Sequence, residues 1–304
     1  MLGLHSSRHC RLGFLLAGCL FCVSTFYSIA VISHAAKADP GQSIMVPAQP
    51  YPVSGLRQRL IAEGKTIPGV DDSMQSDIPA RYFPPKNSVL AHGRKHAAVV
   101  ALPDCNDQFP ENWIAILQDA GLGVLLISPY QAHPSQAYCT EGSLEKPKHG
   151  LTYWAFDALS ALSYLAQQPD IDAKRIAVFG YGYGAAAAQF TIYRHGLAKR
   201  IPERFRALVG LRPQCMSEMD NFVPSLLVGV RNDPFNPPAW CQWRIDRDLE
   251  PSRQPVQFEL VNSGETIEKQ TTREWLPVES SPTVVSLITN FLSDNEIEDK
   301  SDQN

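Results

Sequence analysis

Apolar runs of strand length recur from position 97 onward: Ala97–Leu102, Gly123–Ser128, Arg175–Phe179, Ala207–Leu211, Ser225–Val230 and Val256–Leu260. They are continuous rather than alternating, as expected of strands covered on both faces. Helical spacing fills the gaps between them. Trp113, Ile116 and Leu117 share one face of Glu111–Ala120, and Ala155, Leu159, Leu162 and Leu165 recur through Tyr153–Gln168. Further helices are predicted from Tyr183 to about Leu197, over Ala239–Leu249 and over Thr283–Leu292. Strands that alternate with helices predict an α/β fold: a mostly parallel central sheet flanked by helices on both faces.

The flanks read differently. Arg8 and Arg11 precede the mostly apolar stretch Leu12–Ile32, and Ala36-Lys37-Ala38 offers a cleavage site before Asp39. Residues 1–38 are therefore expected to be a signal peptide. An uncleaved N-terminal anchor ranks second, and a lipoprotein box at Leu16-Ala17-Gly18-Cys19 third. Residues 39–92 are rich in proline and weak in periodicity, an extended arm with a short helix near Leu56–Ala62. The acidic stretch 294–304 is read as a disordered tail.

Composition narrows the function classes. The 304-residue chain carries a net charge of −4 and has no basic block after the leader. That excludes the clustered cations that nucleic-acid binding requires. Beyond residue 38 four cysteines remain, Cys105, Cys139, Cys215 and Cys241. An even set in an exported chain predicts two disulfides, with three pairings open. No cysteine or histidine spacing suits a metal, and no cofactor motif is present. His133, His149 and His195 are read as surface or loop histidines.

The candidate chemistry centres on Gly180-Tyr181-Gly182-Tyr183-Gly184, which follows the strand Arg175–Phe179 and opens into Ala185-Ala186-Ala187-Ala188. Strand, sharp glycine turn and small-residue helix make the nucleophile elbow of α/β-hydrolases, in which G-x-S-x-G puts a serine at the apex. Here the apex is Gly182. The stretch Phe156-Asp157-Ala158-Leu159, then Gln168-Pro169-Asp170-Ile171-Asp172, leads into that strand. Together with Pro224–Asp233, it makes residues 96–292 resemble the dienelactone hydrolase family, and the domain is placed at 93–293.

The resemblance implies an α/β-hydrolase fold and a triad in the order nucleophile, acid, base. Asp233 falls at the acid position, as a retained and vestigial member. Val261–Ile267 aligns with the histidine loop and puts Thr266 or Ile267 at the histidine position. No histidine follows His195. Leu102-Pro103-Asp104-Cys105 takes the place of the oxyanion loop, and Pro103 has no N–H to donate. The same topology implies the pairings Cys105–Cys139 and Cys215–Cys241. The expectation is an exported pseudoenzyme, periplasmic or secreted, that binds an unknown small molecule or protein and meets a membrane only through its N-terminal segment. The alternative is an active ester or lactone hydrolase with a relocated nucleophile: Ser128, Ser263 or Cys105.

Overall fold

A computed structural model describes residues 41–49, 55–65, 76–86, 94–133, 150–247, 254–262 and 281–297. The expected leader, 1–38, lies outside the described residues. Strands β3 (His96–Leu102), β4 (Gly123–Ile127), β5 (Ile171–Tyr181), β6 (Leu208–Leu211), β7 (Ser225–Val230) and β8 (Val256–Val261) fall where the apolar runs predict them. With β1 (Gln42–Val46) and β2 (Ile78–Phe83) they form one eight-stranded sheet in the order β1-β2-β4-β3-β5-β6-β7-β8. Strand β2 pairs antiparallel with both β1 and β4, and every other pairing is parallel.

Helices α2 (Glu111–Asp119), α4 (Gly150–Ala166), α5 (Tyr183–Ile192), α6 (Ala239–Arg247) and α7 (Pro282–Asp294) match the helical periods, and α1 (Gly55–Ala62) is the short helix expected in the arm. One further turn of helix, α3 (Pro129–Ala132), follows β4. Strand β3 shows how the two layers arise. Its residues Ala98, Val100 and Leu102 pack on the side of α4 and α5, among Leu159, Leu162, Ala186 and Ala187. Its residues Ala97, Val99 and Ala101 pack on the side of α2 and α7, with Trp113, Leu117, Ile288 and Phe291. Each central strand thus carries two buried faces, which is why its sequence is apolar throughout.

The proline-rich arm holds more order than its periodicity predicts, because β1 and β2 extend the sheet by two antiparallel strands. At the other end α7 runs to Asp294, and Ile297 is buried with its carbonyl accepting from Arg175 Nη2 at 3.2 Å. Ser281 caps α7, its hydroxyl accepting from the Val284 N–H. Among the described residues no helix is long and apolar enough to cross a membrane.

Candidate functional site

The parallel register fixes what meets at the elbow. Leu102 of β3 pairs with Gly180 of β5, so Asp104 and Gly182, two residues beyond each, remain level as the chains leave the sheet. Gly182 is the N-cap of α5 with φ 53° and ψ −115°, a backbone that L side chains rarely adopt. Its N–H donates to the Leu211 carbonyl at 2.9 Å, which locks the turn to β6. A side chain at Gly180 would run into the Ala185 backbone, and one at Gly184 into the Pro103 carbonyl, so the strand and helix pack at backbone distance.

The apex itself is filled. A Cβ on Gly182 would lie 2.5–2.7 Å from the carboxylate atoms of Asp104. That carboxylate accepts a hydrogen bond from the Tyr183 N–H at 2.8 Å. In a working elbow the N–H after the nucleophile belongs to the oxyanion hole, together with one from the loop after β3. In that loop Pro103 has no N–H, and the Asp104 N–H donates to the Gln108 carbonyl at 2.7 Å. A negative group thus sits where negative charge would have to develop. Tyr183 is buried with its ring edge-on to Trp154, centroids 4.9 Å apart.

Beyond β7, Asp233 occupies the expected loop, but its partner is one that sequence reasoning missed. Arg212, just past the end of β6, grips it in a bidentate pair: Nε to Oδ2 at 2.7 Å and Nη2 to Oδ1 at 3.0 Å. The Phe235 and Asn236 N–H groups donate to Oδ1 at 2.9 and 3.0 Å. Arg212 Nη1 donates to the Tyr181 hydroxyl at 3.0 Å. All three side chains are buried. Burial pushes the Asp233 carboxyl up, but the hydrogen bonds and charge of Arg212 outweigh it and hold the group below the usual carboxylate range. A guanidinium stays protonated and cannot relay a proton as imidazole does, so this pairing fixes a charge rather than activating a nucleophile. The one sequence signal was an arginine closing an otherwise apolar strand, Leu208-Val209-Gly210-Leu211-Arg212.

A second polar cluster joins the end of α3 to α4. His133 follows α3 in a loop, as one of the two expected placements has it, but it is not at the surface: it is buried, with Nε2 at 3.0 Å from Oδ2 of the equally buried Asp157 on α4. Burial raises the Asp157 carboxyl, against the hydrogen bond and charge of His133. Nearby Asp107 accepts from the Tyr130 and Gln131 N–H groups at the start of α3. Its carboxyl is pushed up to about 6, chiefly by burial, with Asp157 adding to the rise and those hydrogen bonds opposing it. A carboxyl raised above its unfolded value stabilises the fold most fully below pH ~4, and that contribution fades as pH rises through about 6. Carbon-13 titration of the Asp107 carboxyl should show a midpoint near 6; a midpoint in the ordinary aspartate range contradicts this placement.

His195 is exposed and lies 3.4 Å from Asp220. His149, Thr266, Ile267, Ser263 and Cys139 lie outside the described residues. Cys215 and Cys241 form a disulfide, with Cα atoms 4.9 Å apart across 26 positions, and Cys105 is disulfide-bonded as well. Among the described residues no cluster of three His, Cys, Asp or Glu side chains could hold a metal ion.

No protein-family model matches the sequence, and no curated protein matches it. Solved structures do. Esterase 2 of Thermogutta terrifontis, in its apo form, aligns over 78% of this chain and 98% of its own, with TM-score 0.53 and 11% identity. An acetyl ester-xyloside bifunctional hydrolase from Caldicellulosiruptor lactoaceticus aligns over 85% and 98%, with TM-score 0.50 and 11% identity. A dienelactone hydrolase from Anabaena variabilis aligns over 75% and 92%, with TM-score 0.48 and 17% identity. Identities this low speak to architecture alone. With its mixed eight-stranded sheet, its elbow between β5 and α5 and its likeness to the esterase and the bifunctional hydrolase, the chain has the α/β-hydrolase fold.

Proposed function

We propose that this chain is an exported, dienelactone hydrolase-like protein that has given up ester hydrolysis and acts by binding a small molecule or a protein partner. The observation that carries this reading is the Asp104 carboxylate over Gly182. It takes the space of a nucleophile's side chain and the N–H of an oxyanion hole in a single contact. Ester hydrolysis needs a nucleophile, a base and a donor pair for the oxyanion. At this elbow the first is a hydrogen atom, and the Tyr183 N–H is already committed. The sequence supplies no histidine after Asp233 to act as base. The Cys215–Cys241 disulfide supports passage through an oxidising compartment.

The rival reading, a hydrolase with a relocated nucleophile, draws support from the buried His133–Asp157 couple, an imidazole and a carboxylate in contact. Two facts weigh against it. Cys105 is disulfide-bonded and so is not the thiolate that nucleophilic attack needs. The His133 imidazole is closed off from solvent, out of reach of a substrate. Incubation with a fluorophosphonate and with iodoacetamide, followed by intact-mass and peptide analysis, separates the two readings. The proposal expects no stoichiometric adduct; an adduct mapped to Ser128 or Ser263 would establish the rival.

A further inference from the structure

The loop and helix after β7 carry a surface that the elbow does not explain. Trp240, Trp243, Arg244 and Arg247 stand at i, i+3, i+4 and i+7 of α6, so they share one face of that helix. Trp240 is 61% exposed and Trp243 43%. Their rings meet edge to face at 6.2 Å, and the Arg244 and Arg247 guanidiniums lie 5.3 and 5.1 Å from the Trp243 centroid. Cys241, off this face, is buried and tied to Cys215, which fixes the helix against the body of the protein. Phe235, on the segment leading into α6, and Met216, next to Cys215, are each 39% exposed. Asp246 and Gln242 hydrogen-bond to each other off this stripe.

Large apolar side chains held at the surface mark a contact surface. The chemistry here selects among partners. Indole has an apolar body and a polar edge, and it settles at the boundary between headgroups and acyl chains. Arginine binds phosphate through paired N–H donors. A sugar would need an open indole face, but both guanidiniums are drawn to Trp243. The chain as a whole is acidic, with net charge −4, so two arginines beside two tryptophans give this face a charge opposite to that of the chain. We propose that the Trp240–Trp243–Arg244–Arg247 face docks this protein on an anionic phospholipid surface, with the indoles at headgroup depth and the guanidiniums on lipid phosphates. This contact is separate from the N-terminal segment and does not depend on what the elbow binds.

The test uses the full chain and vesicles of phosphatidylglycerol and phosphatidylethanolamine with brominated acyl chains, read by tryptophan fluorescence. Of the other three tryptophans, Trp113 and Trp154 are buried and Trp275 lies outside the described residues; the Trp240→Phe/Trp243→Phe variant measures the background of all three. The expected result is quenching that Trp240→Phe/Trp243→Phe removes and that Arg244→Gln/Arg247→Gln weakens about thirtyfold in apparent affinity. Circular dichroism of both variants should be unchanged, since the substituted side chains lie at the surface. An absence of quenching overturns the proposal. So does equal affinity for phosphatidylcholine vesicles, or binding that persists unchanged in the arginine variant, the outcome expected if the N-terminal segment alone drives it.

Discussion

Arg212→Met is expected to lower the unfolding free energy by about 3–5 kcal/mol, the largest single loss we foresee. The substitution keeps much of the apolar stem but strips two charge-assisted hydrogen bonds from Asp233, leaving that carboxylate buried with only the Phe235 and Asn236 N–H groups. It also removes the donor to the Tyr181 hydroxyl. Urea denaturation at pH 7 measures the loss. Its pH dependence identifies the cause. In the native protein the Asp233 carboxyl lies below its ordinary value, so its contribution is present above pH ~4 and is lost as pH falls through its folded value. In the variant, burial is opposed only by the Phe235 and Asn236 N–H groups, and that carboxyl rises. Its protonation on acidification then relieves the penalty, and the deficit should narrow as pH drops toward 4. The double variant Arg212→Met/Asp233→Leu should recover most of the loss, because a pair replaced by apolar groups leaves no stranded charge. A deficit that is independent of pH and unrelieved in the double variant would show that Arg212 acts through packing instead.

The second large effect concerns the elbow. Gly182→Ser is expected to cost about 1–3 kcal/mol through overpacking, with the strained φ adding a further ~1–3 kcal/mol. Its new Cβ would lie 2.5–2.7 Å from the Asp104 carboxylate atoms, so that carboxylate must move and its bond from the Tyr183 N–H is put at risk. Asp104→Gly should relieve the crowding but not the backbone strain. A double-mutant cycle on stability should therefore show a favourable coupling of about 0.5–3 kcal/mol, as expected of residues in contact. Additive losses would mean that Asp104 and Gly182 do not share that space. On the proposed reading neither variant is expected to gain turnover, because the sequence supplies no histidine after Asp233. The cycle also bears on how the site came to this form: serine and Asp104 exclude one another, so Gly182 is the residue that lets the carboxylate in.

Much of this architecture can be read from the chain. The central strands and their helices are legible because burial on both faces demands continuous apolar runs, and β3 to β8 follow those runs closely. The elbow is legible because glycine is required where strand and helix backbones nearly touch. Strands β1 and β2 escaped notice for an equally physical reason. They lie at the antiparallel edge, where Gln42, Ser43 and Arg81 can face solvent, and Pro79 interrupts the pattern that would identify β2. The side chains that decide the chemistry were harder still. Asp104 matters only because the β3–β5 register brings it level with Gly182 across 78 positions, and Arg212 only because β6 ends beside Asp233. Residue identity showed what the elbow lacks. What fills it depends on contacts between segments distant in sequence.

The most direct check is turnover of short p-nitrophenyl esters by the purified protein, read beside its Asp104→Gly variant. With the apex closed and no side chain there to attack, both should match the buffer rate. Saturable hydrolysis by the native protein, stopped stoichiometrically by a phosphonate, would contradict the claim that Asp104 stands in place of a nucleophile.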